Sequence, residues 1–241
     1  MSDKNLSDLS NEQFEAIYKE VLKELLAKYY PVSKPYAIVL GGQPGAGKSA
    51  LSDKAKSKNS NIIVINGDEY RVYHPNFKAI DKTFGKDSPK YTQAFANTVV
   101  ERLISDLSDR KYNLSIEGTL RTTEAPLKTC QLLKEKGYNV QLFVMAVNKE
   151  LSWQGTINRY KEMESLGMIP RATSMENHDY TVKVLPENLY EIFKSGKFDR
   201  ITLYDRALNC LYDSKITPDL SPKSIIQAAL DVTSGDSSTK T

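Results

Sequence analysis

A cluster of glycines in the first quarter of the chain constrains the fold more than any other feature. Four of the twelve glycines fall within residues 41–47. From Gly42 the segment fits G-x-x-x-x-G-K-[ST], in which glycines let the backbone turn and present bare N–H groups to phosphate oxygens. Lys48 is expected to reach the β- and γ-phosphates of a nucleoside triphosphate, and the Ser49 hydroxyl to ligate Mg²⁺. The predicted nucleotide-binding residues are Gly42, Gln43, Pro44, Gly45, Ala46, Gly47, Lys48 and Ser49.

The residues on either side of this segment fit a phosphate-binding loop, or P-loop. Residues 36–40 form a short apolar run that is typical of a buried strand, and residues 49–58 read as the start of a helix. A strand before the loop and a helix after it are the expected context, and the helix adds its positive N-terminal end. The alternative is a glycine-rich turn with a chance lysine.

Apolar strands and amphipathic helices alternate along the rest of the chain. Further strands are predicted at 62–65, 114–116, 140–147 and 201–204, and helices at 11–30, 89–109, 124–136, 149–166, 175–195 and 222–231. Strands that are separated by helices form right-handed crossovers and a mostly parallel sheet. The predicted fold class is therefore α/β, a three-layer P-loop NTPase or kinase-like fold with a mostly parallel central sheet flanked by helices.

The chain is expected to divide into three segments. Residues 1–35 form an N-terminal helix and linker, residues 36–233 form the P-loop kinase domain, and residues 234–241 form a disordered tail. Ser10 and Gln13 have the spacing of a capping box at the start of the first helix.

Composition and charge are those of an ordinary globular protein and exclude several functional classes. The net charge of +3 is too small to indicate nucleic acid binding. No apolar run approaches the roughly 18 residues that a membrane span needs. Cys130 and Cys210 form no C-x-x-C pair, and because no signal peptide is recognised a reduced, cytoplasmic location is expected. His74 and His178 are the only histidines, which excludes a histidine-rich metal site, and both are expected to be packed or solvated.

Two acidic residues directly follow predicted strands, at the sheet edge where α/β proteins bind ligands. Asp68 is expected to be a general base that takes a proton from an attacking hydroxyl, a role that contributes typically 10²–10⁴-fold. The alternative is a turn aspartate that caps a helix. Glu117 is expected to help bind a polyhydroxylated substrate. Its alternatives are a carboxylate near Mg²⁺ and a solvated loop charge.

Two arginines flank a predicted loop near Gly167 and Pro170. Arg159 or Arg171 could stabilise the charge of a transferring phosphoryl group, an effect worth roughly 10³–10⁵ in rate. Taken alone, however, the sequence favours two ordinary surface arginines. A guanine-reading N-K-x-D motif is absent, because Leu151 stands where the motif needs aspartate.

Taken together, these segments resemble the zeta toxin family of bacterial toxin–antitoxin systems. The resemblance runs from about residue 36 to about residue 214 and rests on residues 41–49, 67–68, 116–122, 126–129, 159–160 and 170–173. It implies an ATP-dependent kinase that phosphorylates the 3′-hydroxyl of the amino sugar of UDP-N-acetylglucosamine and thereby blocks peptidoglycan synthesis. The implied cofactors are ATP and Mg²⁺.

The resemblance also assigns roles to individual positions. It implies that Lys48 holds the phosphates, that Asp68 is the catalytic base, and that Arg159 and Arg171 contact the ATP phosphates. The positions implied to bind the UDP-sugar are Asp68, Glu117, Thr119, Arg121 and Thr129, with Glu101 as a possible addition. The residues before the first strand are too few for a three-helix antitoxin, so the implied partner is a separate antitoxin that blocks the ATP site.

Two other functions remain open from the residues. One is a P-loop kinase of another small molecule, such as an antibiotic or a nucleoside. The other is a catalytically silent nucleotide-binding module, against which the retained Lys48, Ser49 and Asp68 argue.

Overall fold

The structure, a computed structural model, describes residues 4–231. Its strands are β1 (Tyr36–Gly41), β2 (Ile63–Ile65), β3 (Leu114–Glu117), β4 (Asn139–Met145), β5 (Arg200–Tyr204) and β6 (Cys210–Asp213). Its α-helices are α1 (Lys4–Ser7), α2 (Asn11–Leu26), α3 (Lys48–Lys58), α4 (Gly67–Tyr70), α5 (Phe77–Phe84), α6 (Ser88–Asp109), α7 (Glu124–Glu135), α8 (Lys149–Ser165), α9 (Met175–Lys194) and α10 (Pro222–Asp231). Short 3₁₀ turns cover Arg71–Tyr73 and Gly85–Asp87.

The central sheet has the order β2-β3-β1-β4-β5-β6. β1 pairs in parallel with β3 on one side, where Val39 lies opposite Ile116, and with β4 on the other, where Val39 lies opposite Leu142. Only the β5–β6 pair is antiparallel among the strands described. The mostly parallel sheet flanked by helices confirms the predicted α/β fold. The consecutive strands β3 and β4 lie on opposite sides of β1, so the P-loop that follows β1 lies at the switch point where such sheets bind ligands.

Apolar side chains cover both faces of the sheet. Val39 belongs to the larger core, which also contains Leu103 of α6 and Leu189 of α9. Ile38 belongs to a smaller core with Leu51 of α3 on the opposite face. Successive residues of β1 point to opposite faces, and burying each aliphatic side chain contributes about 1.5–3 kcal/mol. These two cores hold the strand ends, and therefore the candidate site, in a fixed arrangement.

The N-terminal helix begins as predicted and ends earlier. The Ser10–Gln13 capping box is present. The predicted end at residue 30 is wrong, because the helix stops at Leu26. The backbone N–H of Tyr30 donates to Oδ1 of Asn61 (3.0 Å) and its carbonyl accepts from Nδ2 of Asn61 (2.9 Å), which fixes this segment outside the helix.

The sequence patterns did not predict several short elements. β6 was missed because it has four residues, two of them exposed, and α4 and α5 were missed because they are only four and eight residues long. β4 ends at Met145 rather than at the predicted residue 147. The predicted tail, 234–241, lies outside the described residues, and the three-segment division of the chain stays a prediction. No helix within residues 4–231 is long and apolar enough to cross a membrane.

Candidate active site

The P-loop joins β1 to α3 and packs against α8. Gly45 and Gly47 have φ angles of +73° and +96°, values that L-residues with side chains rarely adopt. A Cβ atom on Gly45 would lie 2.0 Å from the carbonyl oxygen of Ser152. The glycine spacing therefore reflects both backbone conformation and close contact with α8.

Lys48 lies at the start of α3 and folds back over the loop. Its Nζ donates to the carbonyl oxygens of Gly42 (3.0 Å) and Gln43 (3.2 Å) and lies 3.9 Å from Oε1 of Glu117. Burial lowers the pKa of Lys48, and the nearby Glu117 carboxylate opposes that shift. Ser49 is the next residue and is exposed, in the first turn of α3. An ammonium group and a helix N-terminus thus face one space, as a phosphate site requires.

A network of buried polar side chains connects the P-loop to α8 and α9. The side-chain amide of Gln43 donates to the carbonyl of Val147 and to Oγ of Ser152 (3.2 Å). Ser152 Oγ lies 2.9 Å from Nε2 of His178, whose Nδ1 lies 3.1 Å from Oδ1 of Asp179. His178 is fully buried. The sequence predicted that this histidine is packed or solvated but not that it contacts the P-loop network, because the members of that network lie on the P-loop, α8 and α9.

Asp68 lies in α4, directly after β2. The cap of this helix is Asn66, whose Oδ1 accepts from the backbone N–H of Asp68 (3.1 Å), so the capping role considered for Asp68 is wrong. The Asp68 carboxylate instead accepts from Nε of Arg71 at Oδ1 (3.0 Å), and its Oδ2 lies 3.8 Å from Nη1 of Arg171. Burial works to raise the pKa of Asp68, but the charge and hydrogen bond of Arg71 and the charge of Arg171 outweigh it and hold that pKa below its ordinary value.

Arg71 was not predicted as a site residue. Its guanidinium is buried and also donates to the Pro89 carbonyl (2.7 Å), to Oγ1 of Thr92 (2.9 Å) and to Oε1 of Gln93 (2.5 Å). The available signal was the i,i+3 spacing from Asp68, which places the two residues on one face of a helical turn. The contacts to α6 could not be read from that spacing.

Glu117 ends β3 between the P-loop and a large groove. Burial raises the pKa of Glu117, the charge of Lys48 opposes that rise, and the neighbouring charge of Asp68 adds to it. The Glu117 carboxylate is therefore close enough to Lys48 and to Asp68 for both charges to affect its pKa. The three predicted residues come from α3, α4 and β3, and the fold brings them together.

The groove beside Glu117 has a volume of about 1630 Å³ and lies between α6, α7 and the loop after β3. Its lining includes four of the five residues predicted to bind the substrate, Glu117, Thr119, Arg121 and Thr129, and also the possible addition Glu101, whereas Asp68 is not among the lining residues. Nη1 of Arg121 donates to Oδ1 of Asn177 (3.3 Å), which links the groove to the first turn of α9. Positions that are separated in sequence thus share one surface, with hydroxyl, carboxylate and guanidinium groups available to a polar ligand.

Arg159 lies on α8 and Arg171 lies in the segment that joins α8 to α9, and we call the two the lid arginines. We call residues 166–174, which join these helices, the lid segment. Nη2 of Arg159 donates to Oγ1 of Thr173 (3.2 Å), while its Nε is buried without a hydrogen-bond partner. Burial lowers the pKa of Arg159, and the like charge of Arg171 adds to that effect. Both side chains are partly buried and interact with Asp68, so they are not the ordinary surface arginines that the sequence alone favoured.

Residues 20–217 match the sequence profile of the family described as Zeta toxin. The chain belongs to the zeta toxin family. It is 42% identical to toxin zeta of Streptococcus pyogenes over 228 residues, which cover 94% of this chain and 79% of that relative. It is also 42% identical to toxin PezT of Streptococcus pneumoniae over 212 residues, which cover 87% of this chain and 84% of that protein. The predicted family is therefore confirmed.

Solved structures agree with this assignment. A structure from the PezAT chromosomal toxin–antitoxin system of Streptococcus pneumoniae superposes with a TM-score of 0.84 at 37% identity, covering 93% of this chain and 89% of that one. The AvrRxo1-ORF1:-ORF2 complex with ATP superposes with a TM-score of 0.57 at 14% identity, covering 84% of this chain and 66% of that one. The second likeness concerns the fold alone.

Proposed function

We propose that this zeta toxin family member is an ATP-dependent kinase of UDP-N-acetylglucosamine, acting as the toxin of a toxin–antitoxin pair. The observation that carries the proposal is the position of Glu117. Its carboxylate lies 3.9 Å from Lys48 of the P-loop and also lines the groove of predicted sugar-nucleotide residues. A phosphate donor and a polar acceptor would therefore meet at one point.

The P-loop side fits a nucleoside triphosphate. Its backbone turns at positive φ to expose N–H groups, and Lys48 supplies a positive charge at the start of α3. The residues also fit Mg²⁺, because this ion usually binds through one or two protein oxygens together with substrate phosphates. Ser49 would supply such an oxygen. The described residues, 4–231, contain no cluster of three His, Cys, Asp or Glu side chains that could hold a metal ion. When bound, Mg²⁺ would neutralise charge on the phosphates.

The lid arginines suit the charge that builds up during transfer. The partly buried guanidinium groups of Arg159 and Arg171 interact with the Asp68 carboxylate across the site. The unpaired, buried Nε of Arg159 is a hydrogen-bond donor for which a phosphate oxygen would be a suitable partner. Preorganised donors of this kind stabilise a transition state more than a ground state.

Asp68 supplies the general base in this proposal. Its lowered pKa keeps the carboxylate ionised at neutral pH, so it can accept the proton of an attacking sugar hydroxyl. The hydroxyl oxygen then forms a bond to the transferred phosphorus atom as the bond to the departing diphosphate oxygen breaks. The choice of the 3′-hydroxyl of the amino sugar follows from the family resemblance.

The groove suits a sugar nucleotide. Its volume of about 1630 Å³ exceeds the roughly 300–1000 Å³ of common small-molecule sites. Thr119 and Thr129 offer hydroxyl groups to sugar and uracil atoms, and Arg121 offers a guanidinium to a diphosphate. A separate antitoxin that covers the ATP site and a cytoplasmic location complete the proposal.

A ³¹P NMR assay tests the function directly. Purified protein is incubated with ATP, Mg²⁺ and UDP-N-acetylglucosamine, beside Lys48→Ala as the inactive control. A new sugar monophosphate resonance that is absent from the control is expected. ADP without that resonance would favour another acceptor, such as an antibiotic or a nucleoside, and no ATP turnover would favour a nucleotide-binding module.

A further inference from the structure

We propose that Arg71 is a positioning residue for the transfer reaction, which binds Oδ1 of Asp68 and leaves Oδ2 as the oxygen that accepts the proton. This inference rests on the proposed function, because it assigns Asp68 as the base. It goes beyond that function by naming the residue that orients the base and the atom that takes the proton.

The contact geometry of Arg71 supports a positioning role. The guanidinium makes four hydrogen bonds of 2.5–3.0 Å, one to Asp68 and three to residues at the start of α6. Two of those three acceptors, the Pro89 carbonyl and Thr92 Oγ1, bind the same nitrogen, Nη1. These contacts hold the Arg71 side chain in place without any ligand, and its hydrogen bond to Oδ1 holds the Asp68 carboxylate in place in turn.

The two carboxylate oxygens of Asp68 have different surroundings. Oδ1 accepts a charge-assisted hydrogen bond from Nε of Arg71 at 3.0 Å. Oδ2 lies 3.8 Å from Nη1 of Arg171, which is an ion pair without a hydrogen bond. Because Oδ1 already has a close partner, Oδ2 is the oxygen with capacity to accept a proton from a substrate hydroxyl.

The other charged groups around Asp68 do not duplicate this role. Arg171 is on the lid segment, Arg159 is on α8, Lys48 is on α3 and Glu117 is on β3, and each of them interacts with Asp68 through charge alone. Glu69, the neighbour in α4, adds a further negative charge near Glu117. Arg71 alone among these groups donates a hydrogen bond to the Asp68 carboxylate.

An arginine fits this position better than a lysine would. The planar guanidinium presents five N–H donors in a fixed fork, so it can bind Asp68 and three acceptors of α6 at once. A lysine ammonium has three donors on a flexible stem and cannot reproduce the four contacts. The role therefore depends on the shape of the group as well as on its charge.

Arg71→Met and Arg71→Lys test the proposal through the titration of Asp68. The ¹³C carboxyl resonance of Asp68, assigned with Asp68→Asn, is followed against pH in full-length protein. We expect a higher Asp68 pKa in Arg71→Met and a smaller rise in Arg71→Lys. In the transfer assay we expect kcat to fall by about 10²-fold in Arg71→Met with KM for ATP little changed, because a misplaced catalytic group costs about that much.

Two further variants separate positioning from general stability. Arg200→Met removes an arginine that pairs with Asp213 at the other end of the sheet, and it should leave the Asp68 titration and kcat unchanged. Gln93→Met replaces an exposed side chain that accepts from Arg71 and should fold normally. It should lower kcat by a few fold, since Arg71 keeps its charge but loses one restraint.

The outcomes are distinguishable. An unchanged Asp68 titration in Arg71→Met, or a fall in kcat no larger than that of Arg200→Met, would overturn the positioning role. A shifted titration with no phosphoryl transfer by the wild-type protein would leave the Arg71–Asp68 coupling intact and reject the proposed kinase function. The titration needs neither ATP nor an acceptor, so the failure of one idea does not hide the other.

Discussion

The two charged sides of the candidate site are held very differently. On the proposed acceptor side, Asp68 is bound by Arg71, which makes three more hydrogen bonds to α6. On the proposed phosphate side, Arg159 makes one hydrogen bond to Thr173 and has a buried Nε with no partner, while Nη1 of Arg171 lies 3.8 Å from Oδ2 of Asp68. The carboxylate is therefore fixed in advance, and the guanidinium groups have unused hydrogen-bonding capacity.

This difference matches what each side would have to do. A base must stand at a defined place before the hydroxyl arrives, because small displacements of a catalytic group are costly. A buried donor without a partner costs about 1–3 kcal/mol, and that cost is recovered when an anion binds. In the proposed reaction the lid arginines would therefore favour a bound phosphate, whereas the Asp68 carboxylate already has its hydrogen-bond partner without a ligand.

The largest expected effect is on the lid side. Arg159→Met should lower kcat by roughly 10³-fold or more, as for arginines that stabilise a transferring phosphoryl group. The measurement is the steady-state transfer rate, with the exposed Arg110→Met at the far end of α6 as the matched control. Equal rates in the two variants would mean that Arg159 does not contact the reacting phosphate.

Asp68→Asn tests the acceptor side with an almost isosteric change. Its amide oxygen can still accept from Arg71, but it cannot take a proton, so turnover should fall by roughly 10²–10⁴-fold while ATP binding is retained. Calorimetric titration of ATP and the transfer assay measure the two properties separately. Turnover at the wild-type rate would remove Asp68 as the base and, with it, the contrast between the two sides.

His178→Ala probes the buried polar network that contacts the P-loop through Ser152 and Gln43. It removes a buried partner of Ser152 behind the P-loop and leaves a cavity, so we expect a loss of about 2–3 kcal/mol in the free energy of unfolding. Denaturant unfolding measures this loss, and His178→Gln should recover part of it. A loss below about 0.5 kcal/mol would show that the chain from Gln43 to Asp179 does not stabilise the loop.

The smallest expected effect is on thermal stability, where Glu117→Gln and Asp68→Asn should change the Tm in opposite directions. Burial raises the pKa of Glu117, so its charged form destabilises the fold, and this cost disappears as the pH falls through the raised pKa. The pKa of Asp68 is lowered, so its contribution is present at neutral pH and is lost as the pH falls through that lowered pKa. At pH 7, Glu117→Gln should raise the Tm and Asp68→Asn should lower it, each by about 1–3 °C.

Thermal unfolding at pH 7 and at pH 3 checks this prediction. At the lower pH the Glu117→Gln difference should nearly disappear, because the native Glu117 carboxyl is protonated below its raised pKa. The Asp68→Asn difference should shrink only in part, because native Asp68 keeps its charge until the pH falls through its lowered pKa. Shifts of the same sign in the two variants would contradict the opposite electrostatic environments described for Asp68 and Glu117.

Sequence patterns were sufficient to predict a feature when all the residues that define it lie in one continuous segment of the chain. The P-loop motif combines fixed backbone requirements with a strand and a helix that the apolar pattern reveals, and β1 and α3 formed where expected. β6 was missed because it has four residues and depends on pairing with β5. Arg71 was missed because three of its four hydrogen-bond acceptors lie on α6, some 20 residues later in the chain.

The sequence by itself determined the α/β class and the P-loop, since these follow from local periodicity and from a motif of fixed spacing, and its segments carried the resemblance to the family to which the chain belongs. Only the tertiary structure decided that Glu117 joins Lys48 to the groove, that Arg71 holds Asp68, and that His178 supports Gln43. Each of these contacts joins side chains from separate elements at the ends of strands. The sheet order and the helix packing bring them together, and neither can be predicted from the spacing of residues along the chain.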